Sequence, residues 1–188
     1  MIANAKVYGL LDSVKASKYP MAVATHMCNQ DITDRVKALG QCDPGTGHDQ
    51  FLTGIVVQFD LTFSIKAWVE AERYHFFDFV SSQSTMHRIT KLDPDLQCNE
   101  YVHAGVIDIL KTLIDIYNAD PTEENYLHVL YNVPTGYQLT ARMTTNYRQL
   151  KTIYLQRKNH RLPEWKSFTE WVETLPYFKE LCIGGAGE

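Results

Sequence analysis

Several polar side chains lie on one predicted helix in the stretch MTTNYRQLKTIYLQRKNH, residues 143–160. At about 100° per residue, Asn146 and Arg157 fall on nearly the same line, whereas Arg148 points in roughly the opposite direction. A guanidinium group carries several N–H donors and keeps its charge at physiological pH, so each arginine could contact an anionic ligand. One helix could therefore present polar groups to two different sites.

The same spacing also fits an ordinary solvent-exposed helix. In that interpretation Thr144, Thr145 or Asn146 caps the helix N-terminus, and the arginines lay their aliphatic stems along the protein surface. The pattern of residues is compatible with both interpretations.

A second polar segment, SSQSTMHR at residues 81–88, also contains groups that can donate hydrogen bonds to an anion. They are the hydroxyls of Ser82 and Ser84 and the guanidinium of Arg88. The serines could equally satisfy the backbone of their own loop, as short hydroxyl side chains often do. Both interpretations are open here as well.

The histidines show no pattern that predicts a metal centre. His48 lies in a predicted loop at residues 39–50, and His160 follows the polar helix, so each could serve either a ligand or a structural hydrogen bond. The other histidines have no metal-ligand spacing with a cysteine or a carboxylate, and we therefore expect no metal site. The sequence also lacks a Walker loop, a dinucleotide-binding glycine motif and a Gly-x-Ser-x-Gly elbow.

Hydrophobic periodicity predicts the elements that must position these groups. Apolar and polar residues alternate over residues 57–65, which predicts a strand with one buried face. Apolar stripes, prolines and capping residues predict helices elsewhere. The predicted helices cover residues 67–77, 101–118, 121–132, 136–145, 146–158 and 163–174. The sequence therefore predicts a helix-rich α+β fold with few strands.

Length and composition exclude several classes of protein. A chain of 188 residues with 45% hydrophobic residues predicts a single domain, residues 1–188. The formal net charge of −4 argues against general nucleic-acid binding. The four cysteines form no C-x-x-C pair, which is typical of a reducing compartment. No segment has the pattern of a signal peptide or a membrane span, so we expect a cytoplasmic protein with no membrane partner.

The polar helix and the residues after it carry a resemblance to a known family. The stretch NYRQLKTIYLQRKNHRLPE, residues 146–164, resembles the C-terminal signature of flavin-dependent thymidylate synthases. In that signature Asn-x-Arg is followed nine residues later by a second Arg and then by a His-x-x-x-Glu element. Its places are held here by Asn146, Arg148, Arg157, His160 and Glu164.

Other segments of the chain resemble the same family in the same order. YNVP ends at Pro134, twelve residues before Asn146, and resembles the family's Val-Leu-Pro element. TGHDQFL at 46–52 resembles its Gly-His loop, TFSIKA at 62–67 its Phe-Thr-Phe-x-x-Lys-Ala strand, and STMHR at 84–88 the end of its central motif. The last two segments are similar to phage-type relatives of the family, and a phage-encoded protein would be located in the cytoplasm of a bacterial host.

The resemblance implies a fold, a set of ligands and a role for each matching residue. The fold would be α+β, with a central sheet flanked by several helices, assembled as a homotetramer. In the family, reduced flavin supplies a hydride and a folate carries a one-carbon unit to C5 of a pyrimidine nucleotide, dUMP. The residues implied to bind the nucleotide are Arg157, Arg88, Ser84 and Ser82, and those implied to bind FAD are Asn146, Arg148 and His48.

The chain departs from the family at the Arg-His-Arg motif that holds flavin and nucleotide. Phe77, Asp78 and Phe79 stand at those three positions. Without the arginines the motif lacks the paired N–H donors that bind one anion through two hydrogen bonds. An aspartate in this position would repel a phosphate. Gln58 and Leu130 likewise replace a family histidine and arginine. We therefore expect weak FAD binding or none.

Two functions from different classes are compatible with these residues. The first is a divergent thymidylate synthase-like enzyme that methylates or otherwise modifies C5 of a dUMP-like nucleotide. The second is a non-catalytic nucleotide-binding or interaction protein that kept the fold after losing the flavin site. The use of folate is open in the first.

Overall fold

A four-stranded antiparallel sheet lies at the centre of the computed structural model, which describes residues 1–43 and 45–184. The strands are β1 (Ile2–Tyr8), β2 (Val56–Ser64), β3 (Asp78–Ser82) and β4 (Gln138–Asn146). Their order in the sheet is β1-β2-β4-β3, so β2 and β4 are central and β1 and β3 are edge strands. The predicted α+β fold is confirmed.

Segments of α-helix, 3-10 helix and π-helix together account for most of the remaining described chain. The α-helices are α1 (Leu10–Ala16), α2 (Asp34–Gln41), α3 (Ile65–Ala71), α4 (Thr85–Arg88), α5 (Pro94–Gln97), α6 (Ala104–Ala119), α7 (Glu123–Tyr131), α8 (Tyr147–Arg157) and α9 (Pro163–Val172). Short 3-10 segments cover Tyr19–Met21, Thr25–Met27, His48–Gly54 and Ile89–Lys91, and a π-helical turn covers Lys179–Ile183. No helix in the described ranges is long and apolar enough to cross a bilayer.

Strand β2 forms where the period-2 pattern predicts it. The four side chains on its inward face, Val57, Phe59, Leu61 and Phe63, are almost completely buried, and the residues between them are partly exposed. Pairing with β4 runs without interruption from Val56 opposite Asn146 to Ser64 opposite Gln138. This continuous register fixes the end of β4, and therefore the start of α8, relative to the rest of the sheet.

The core of the described chain has two clusters of buried residues. The larger cluster packs the inward residues of β2 and β4 against α3, α8, α9 and the C-terminal turn. It is rich in aromatic contacts, among them Phe63 with Trp165 at a ring-centroid distance of 4.9 Å. The smaller cluster joins α6 and α7 around Leu110, Val129 and Tyr137. This smaller cluster packs α6 and α7 against the residues that precede β4.

The predicted helix at 136–145 is wrong, because this segment is strand β4. Ala141, Met143 and Thr145 are buried while their neighbours are partly exposed, which is the alternation of a strand. Pairing with β2 on one side and β3 on the other satisfies its backbone, and that long-range pairing decides its conformation.

Three further differences concern shorter pieces of the sheet region. The helix predicted at 67–77 is confirmed only as α3, which ends at Ala71. Ser81 and Ser82, interpreted as part of a polar loop, belong to β3. Strand β1 was not predicted, since most of its side chains are exposed and give no hydrophobic alternation. The helices predicted at 101–118, 121–132, 146–158 and 163–174 are confirmed as α6 to α9, within a few residues at their ends.

Candidate functional site

Helix α8 begins directly where β4 ends, and Asn146 makes the junction. Its side-chain Oδ1 accepts a hydrogen bond from the backbone N–H of Gln149 at 2.9 Å, which caps the helix. Tyr147, Leu150 and Ile153 are completely buried against the core, so one face of α8 is fixed by packing. The polar groups on its other faces are therefore held in defined directions.

Arg157, at the end of α8, lies in a nearly buried cluster centred on Glu70 of α3. Arg157 Nη1 donates to Glu70 Oε2 at 2.8 Å, and the two side chains are 11% and 12% exposed. Arg157 Nε donates to the hydroxyl of Tyr74 at 2.6 Å. The guanidinium carbon also lies 4.9 Å from the ring centroid of Trp165, a cation–π distance. Arg157 is therefore fixed on three sides.

Glu70 receives donors from three further side chains. Trp165 Nε1 donates to Glu70 Oε2 at 3.2 Å, and Lys66 Nζ lies 3.3 Å from Oε1. His160 Nε2 lies 3.1 Å from Oε2, while its Nδ1 accepts from the backbone N–H of Leu162. That second bond places the proton of the neutral imidazole on Nε2, facing Glu70.

These contacts shift the pKa of the Glu70 carboxyl group. Burial by itself would raise it, but the hydrogen bond from Lys66 and the charges of His160 and Arg157 outweigh burial, so the pKa is lowered from its ordinary value. Glu70 is therefore an ionised carboxylate at neutral pH. With Lys66 and Arg157 both charged, the cluster keeps a formal charge of +1 even when His160 is neutral.

Arg148, near the start of α8, lies in a second, separate cluster centred on Asp49. Arg148 Nε donates to Asp49 Oδ1 at 3.0 Å, and its Nη1 donates to the side chain of Gln50 at 2.9 Å. Lys151 Nζ lies 3.2 Å from Asp49 Oδ2, and both of these side chains are 4% exposed. Arg148 and Arg157 thus serve two different clusters, as their opposed directions on the helix predict.

A cleft of about 180 Å³ lies beside the Asp49 cluster. Asn146 and Arg148 both line it, together with Phe76 and Thr152. Its volume is below the range of about 300–1,000 Å³ that is typical of small-molecule sites. His48 is exposed and begins the 3-10 segment His48–Gly54, next to Asp49.

The three other residues with a predicted nucleotide role lie on and after the edge strand. Ser82 is the last residue of β3 and is exposed. Ser84 precedes α4, and its backbone carbonyl accepts the N–H of Arg88 at 3.0 Å. Arg88 is exposed at the end of α4. The contacts of Arg157 described above include none of these three residues.

The positions that correspond to the Arg-His-Arg motif form no cationic group. Phe77 is 4% exposed and packs edge-to-face on Phe168 of the core, with ring centroids 5.7 Å apart. Asp78 is exposed at the start of β3, and Phe79 packs on Trp68 at 4.9 Å. A buried aromatic ring therefore fills one position, and an acidic group stands at the next.

The residues that hold the two arginines were not predicted from the sequence. Glu70 lies four residues after Lys66, so the helical i,i+4 spacing could have suggested that pair. Asp49 and Lys151 are 102 residues apart, and no local pattern joins them. Within the described residues, no group of three or more His, Cys, Asp or Glu side chains is placed to hold a metal ion.

Comparison with solved structures shows which fold this is. The chain is similar to the flavin-dependent thymidylate synthase ThyX from Helicobacter pylori in complex with FAD and dUMP, with a TM-score of 0.72, 14% identity, and coverage of 97% of this chain and 99% of that one. A second structure of the Helicobacter pylori ThyX with FAD and dUMP, at 2.31 Å resolution, gives a TM-score of 0.74, 15% identity and 97% coverage of each chain. The protein therefore has the fold of the flavin-dependent thymidylate synthases.

The sequence comparisons add no closer relationship. No protein-family model matches this sequence, and no curated protein matches it. At 14–15% identity the structural similarity shows the fold alone. Both of these structures are of Helicobacter pylori proteins, so they do not support the resemblance to phage-type relatives.

Proposed function

We propose that this protein is a single domain, residues 1–188, that binds a pyrimidine nucleotide, dUMP or a close analogue, without FAD. The proposal is supported by the shared fold, because both ThyX structures contain dUMP. The observation that carries it is the orientation of Arg157 within the Glu70 cluster. Its Nε and Nη1 are engaged, and Nη2 makes no hydrogen bond to any residue of the described chain. Arg157 therefore holds a preoriented, unused donor.

The charge of the cluster also favours an anionic ligand. Glu70 balances one of its two permanent cations, and the excess charge of Lys66 is available to a nucleotide phosphate. A preoriented guanidinium loses less conformational entropy on binding than a free one, which increases affinity. The family resemblance also implies Arg88, Ser84 and Ser82 as nucleotide-binding residues, but none of them contacts Arg157, so they form no part of this proposal.

Calorimetric titration of dUMP into the wild type and Arg157→Gln tests this proposal. The variant should bind about ten- to a hundredfold more weakly, because a charge-assisted hydrogen bond contributes about 1.5–3 kcal/mol. Arg142→Gln is the matched control, since Arg142 is also an ion-paired arginine, 3.2 Å from Asp60, but lies in the sheet. Both variants are titrated below their thermal transitions. No binding to the wild type, or equal affinity in all three proteins, contradicts the proposal.

The residues present do not fit the flavin contacts of the family. Phe77 is buried in the core, where it packs on Phe168, and Asp78 would repel the cofactor's phosphates. Arg148, implied by the resemblance to bind FAD, is bound to Asp49, and the cleft that Arg148 and Asn146 line is small. Without a flavin in this position the family's route to C5 methylation has no hydride donor. We therefore propose nucleotide binding rather than flavin-dependent methylation.

Calorimetric titration also measures the binding of FAD. We expect FAD to give weak heats or none with the wild type, and the purified protein to lack flavin absorbance. A stoichiometric yellow protein, or tight FAD binding in the titration, contradicts this expectation and favours the methyltransferase instead.

We further propose a homotetramer, as the resemblance implies. The fold leaves Phe79 and Val80 of the edge strand β3 and Ile109 of α6 about half exposed, and apolar surface of this kind suits contacts between subunits. Light scattering should give a mass four times that of the chain. A mass near 21.6 kDa, that of one chain, contradicts the proposal.

A further inference from the structure

A cavity of about 550 Å³ opens beside the Glu70 cluster, and none of the residues assigned a ligand role by the sequence lines it. Its walls come from four parts of the chain: the end of β2 with the first turn of α3, residues 99–106, residues 134–136 and residues 161–164. Its volume lies within the range of about 300–1,000 Å³ that is typical of small-molecule sites. The cavity is therefore large enough for a nucleotide.

The cavity adjoins the Glu70 cluster at Lys66 and at the segment that follows His160. Lys66 lines the cavity and also contacts Glu70. The segment that leads from His160, which contacts Glu70, continues as Arg161 and Leu162 along the cavity wall. A ligand in the cavity would therefore lie next to the cluster that holds Arg157.

Cationic side chains outnumber acidic ones around the cavity. Lys66 and Arg161 carry permanent positive charge, His103 adds an imidazole, and Glu164 is the one carboxylate among the lining residues. The imidazole Nδ1 of His103 accepts from the N–H of Gly105 at 3.1 Å, so Nε2 carries the proton of the neutral ring and can donate. These side chains provide donors for an anion.

The backbone adds to the same positive field. The 16-residue helix α6 and the 10-residue helix α9 both begin at the cavity, and their N-capping residues, His103 and Leu162, line it. The N-terminal ends of helices carry partial positive charge, which favours anions nearby. The two helix ends support the side chains but would not define a site without the cavity and its cations.

The remaining walls suit a flat, partly polar ring. Tyr101 is 71% exposed at the cavity and offers an aromatic face for stacking. The Oδ1 of Asn99 accepts from the N–H of Tyr101 at 3.2 Å, which leaves its amide nitrogen able to donate to a ring carbonyl. Gly136 closes one wall, where an added Cβ would lie 2.4 Å from Val102 Cγ2. No larger residue fits there without a shift of the wall.

We propose that this cavity holds the nucleotide, with its phosphate between Lys66 and Arg161 and its base toward Asn99 and Tyr101. The inference rests on the proposed function, because it gives the location of the same nucleotide and adds its phosphate contacts. Arg157 does not line the cavity, so it would contact the nucleotide only at the edge that faces the Glu70 cluster. Lys66 and Arg161, which hold the phosphate, were assigned no ligand role from the sequence.

Titrations with dUMP and with deoxyuridine, which lacks the phosphate, test the inference. Lys66→Met and Arg161→Gln should each weaken dUMP binding about ten- to a hundredfold and leave deoxyuridine binding unchanged. Lys111→Met is the matched control for Lys66→Met, because Lys111 is likewise a partly exposed lysine with a carboxylate partner, Asp95. The control should bind dUMP as the wild type does. Inorganic phosphate should compete with dUMP but not with deoxyuridine.

The outcomes separate this inference from the proposed function. If the wild type does not bind dUMP, the proposed function fails and the cavity inference falls with it. If the wild type binds dUMP and Arg161→Gln binds equally well, the cavity inference is overturned while the proposed function stands. A loss in Lys66→Met alone also overturns it, since Lys66 contacts Glu70 and could act through the Arg157 cluster.

Discussion

Replacing Arg157 with alanine should lower the free energy of unfolding by about 3 kcal/mol, because it removes the most deeply buried basic partner of a nearly buried carboxylate. Glu70 is 12% exposed and would keep Trp165, His160 and Lys66 as partners, of which Lys66 is 55% exposed. The substitution also removes the cation–π contact with Trp165, which contributes about 0.5–2 kcal/mol. Chemical denaturation of the wild type and the variant measures the difference.

Arg142→Ala is the control, since it breaks an ion pair of similar length in a more exposed place. Arg142 and Asp60 are 27% and 29% exposed, so loss of this ion pair should lower the free energy of unfolding by about 0–1 kcal/mol. A double-mutant cycle with Glu70→Gln should show a positive coupling energy between Arg157 and Glu70. If Arg157→Ala costs no more than Arg142→Ala, the cluster does not stabilise the fold in this way.

The coupling between Arg157 and Glu70 should also depend on pH. The pKa of Glu70 is lowered in the folded state from its ordinary value of 4.5. A lowered carboxylate pKa gives stability that is fully present above the unfolded pKa and is lost as the pH falls through the folded pKa. The difference between wild type and Arg157→Ala should therefore be constant near neutral pH and shrink below pH 4.5.

Replacing Lys151 with methionine should lower the free energy of unfolding by about 3–5 kcal/mol. Its ammonium group donates to the carbonyls of Gly40 at 2.8 Å and Cys42 at 2.6 Å as well as to Asp49. The variant removes this donor from one buried and one partly buried carbonyl and leaves Asp49 with Arg148 alone. Each unsatisfied buried group costs about 1–3 kcal/mol. Thermal and chemical denaturation measure the loss.

Lys158→Met is the control on the same helix. Lys158 is exposed at the C-terminal cap of α8, so its replacement should change the free energy of unfolding by about 0.5 kcal/mol or less. The double variant Asp49→Asn, Lys151→Met should recover part of the loss, because it removes the buried charge left by the single variant. Equal stabilities of Lys151→Met and Lys158→Met would contradict the role of the Asp49 cluster.

The sequence determined the elements whose signals are local. The alternation over residues 57–65 predicts β2 because successive side chains on a strand face opposite sides. The helical period predicts α8 and also the opposed directions of its two arginines, because 100° per residue is a property of the backbone alone. Asn146 was among the predicted caps for the same reason, since a cap bonds to an N–H three residues away. The overall fold was predicted from the resemblance to the flavin-dependent thymidylate synthases.

Only the tertiary structure decided β4, because its conformation depends on two strands that lie far away in the chain. The partners of the arginines were decided in the same way. Glu70 lies 87 residues from Arg157, and Asp49 lies 99 residues from Arg148, so no local period could join them. Packing brings these charges together in surroundings where an unpaired charge would be costly, and that cost selects the partners. The cavity likewise exists only where segments that are distant in sequence meet.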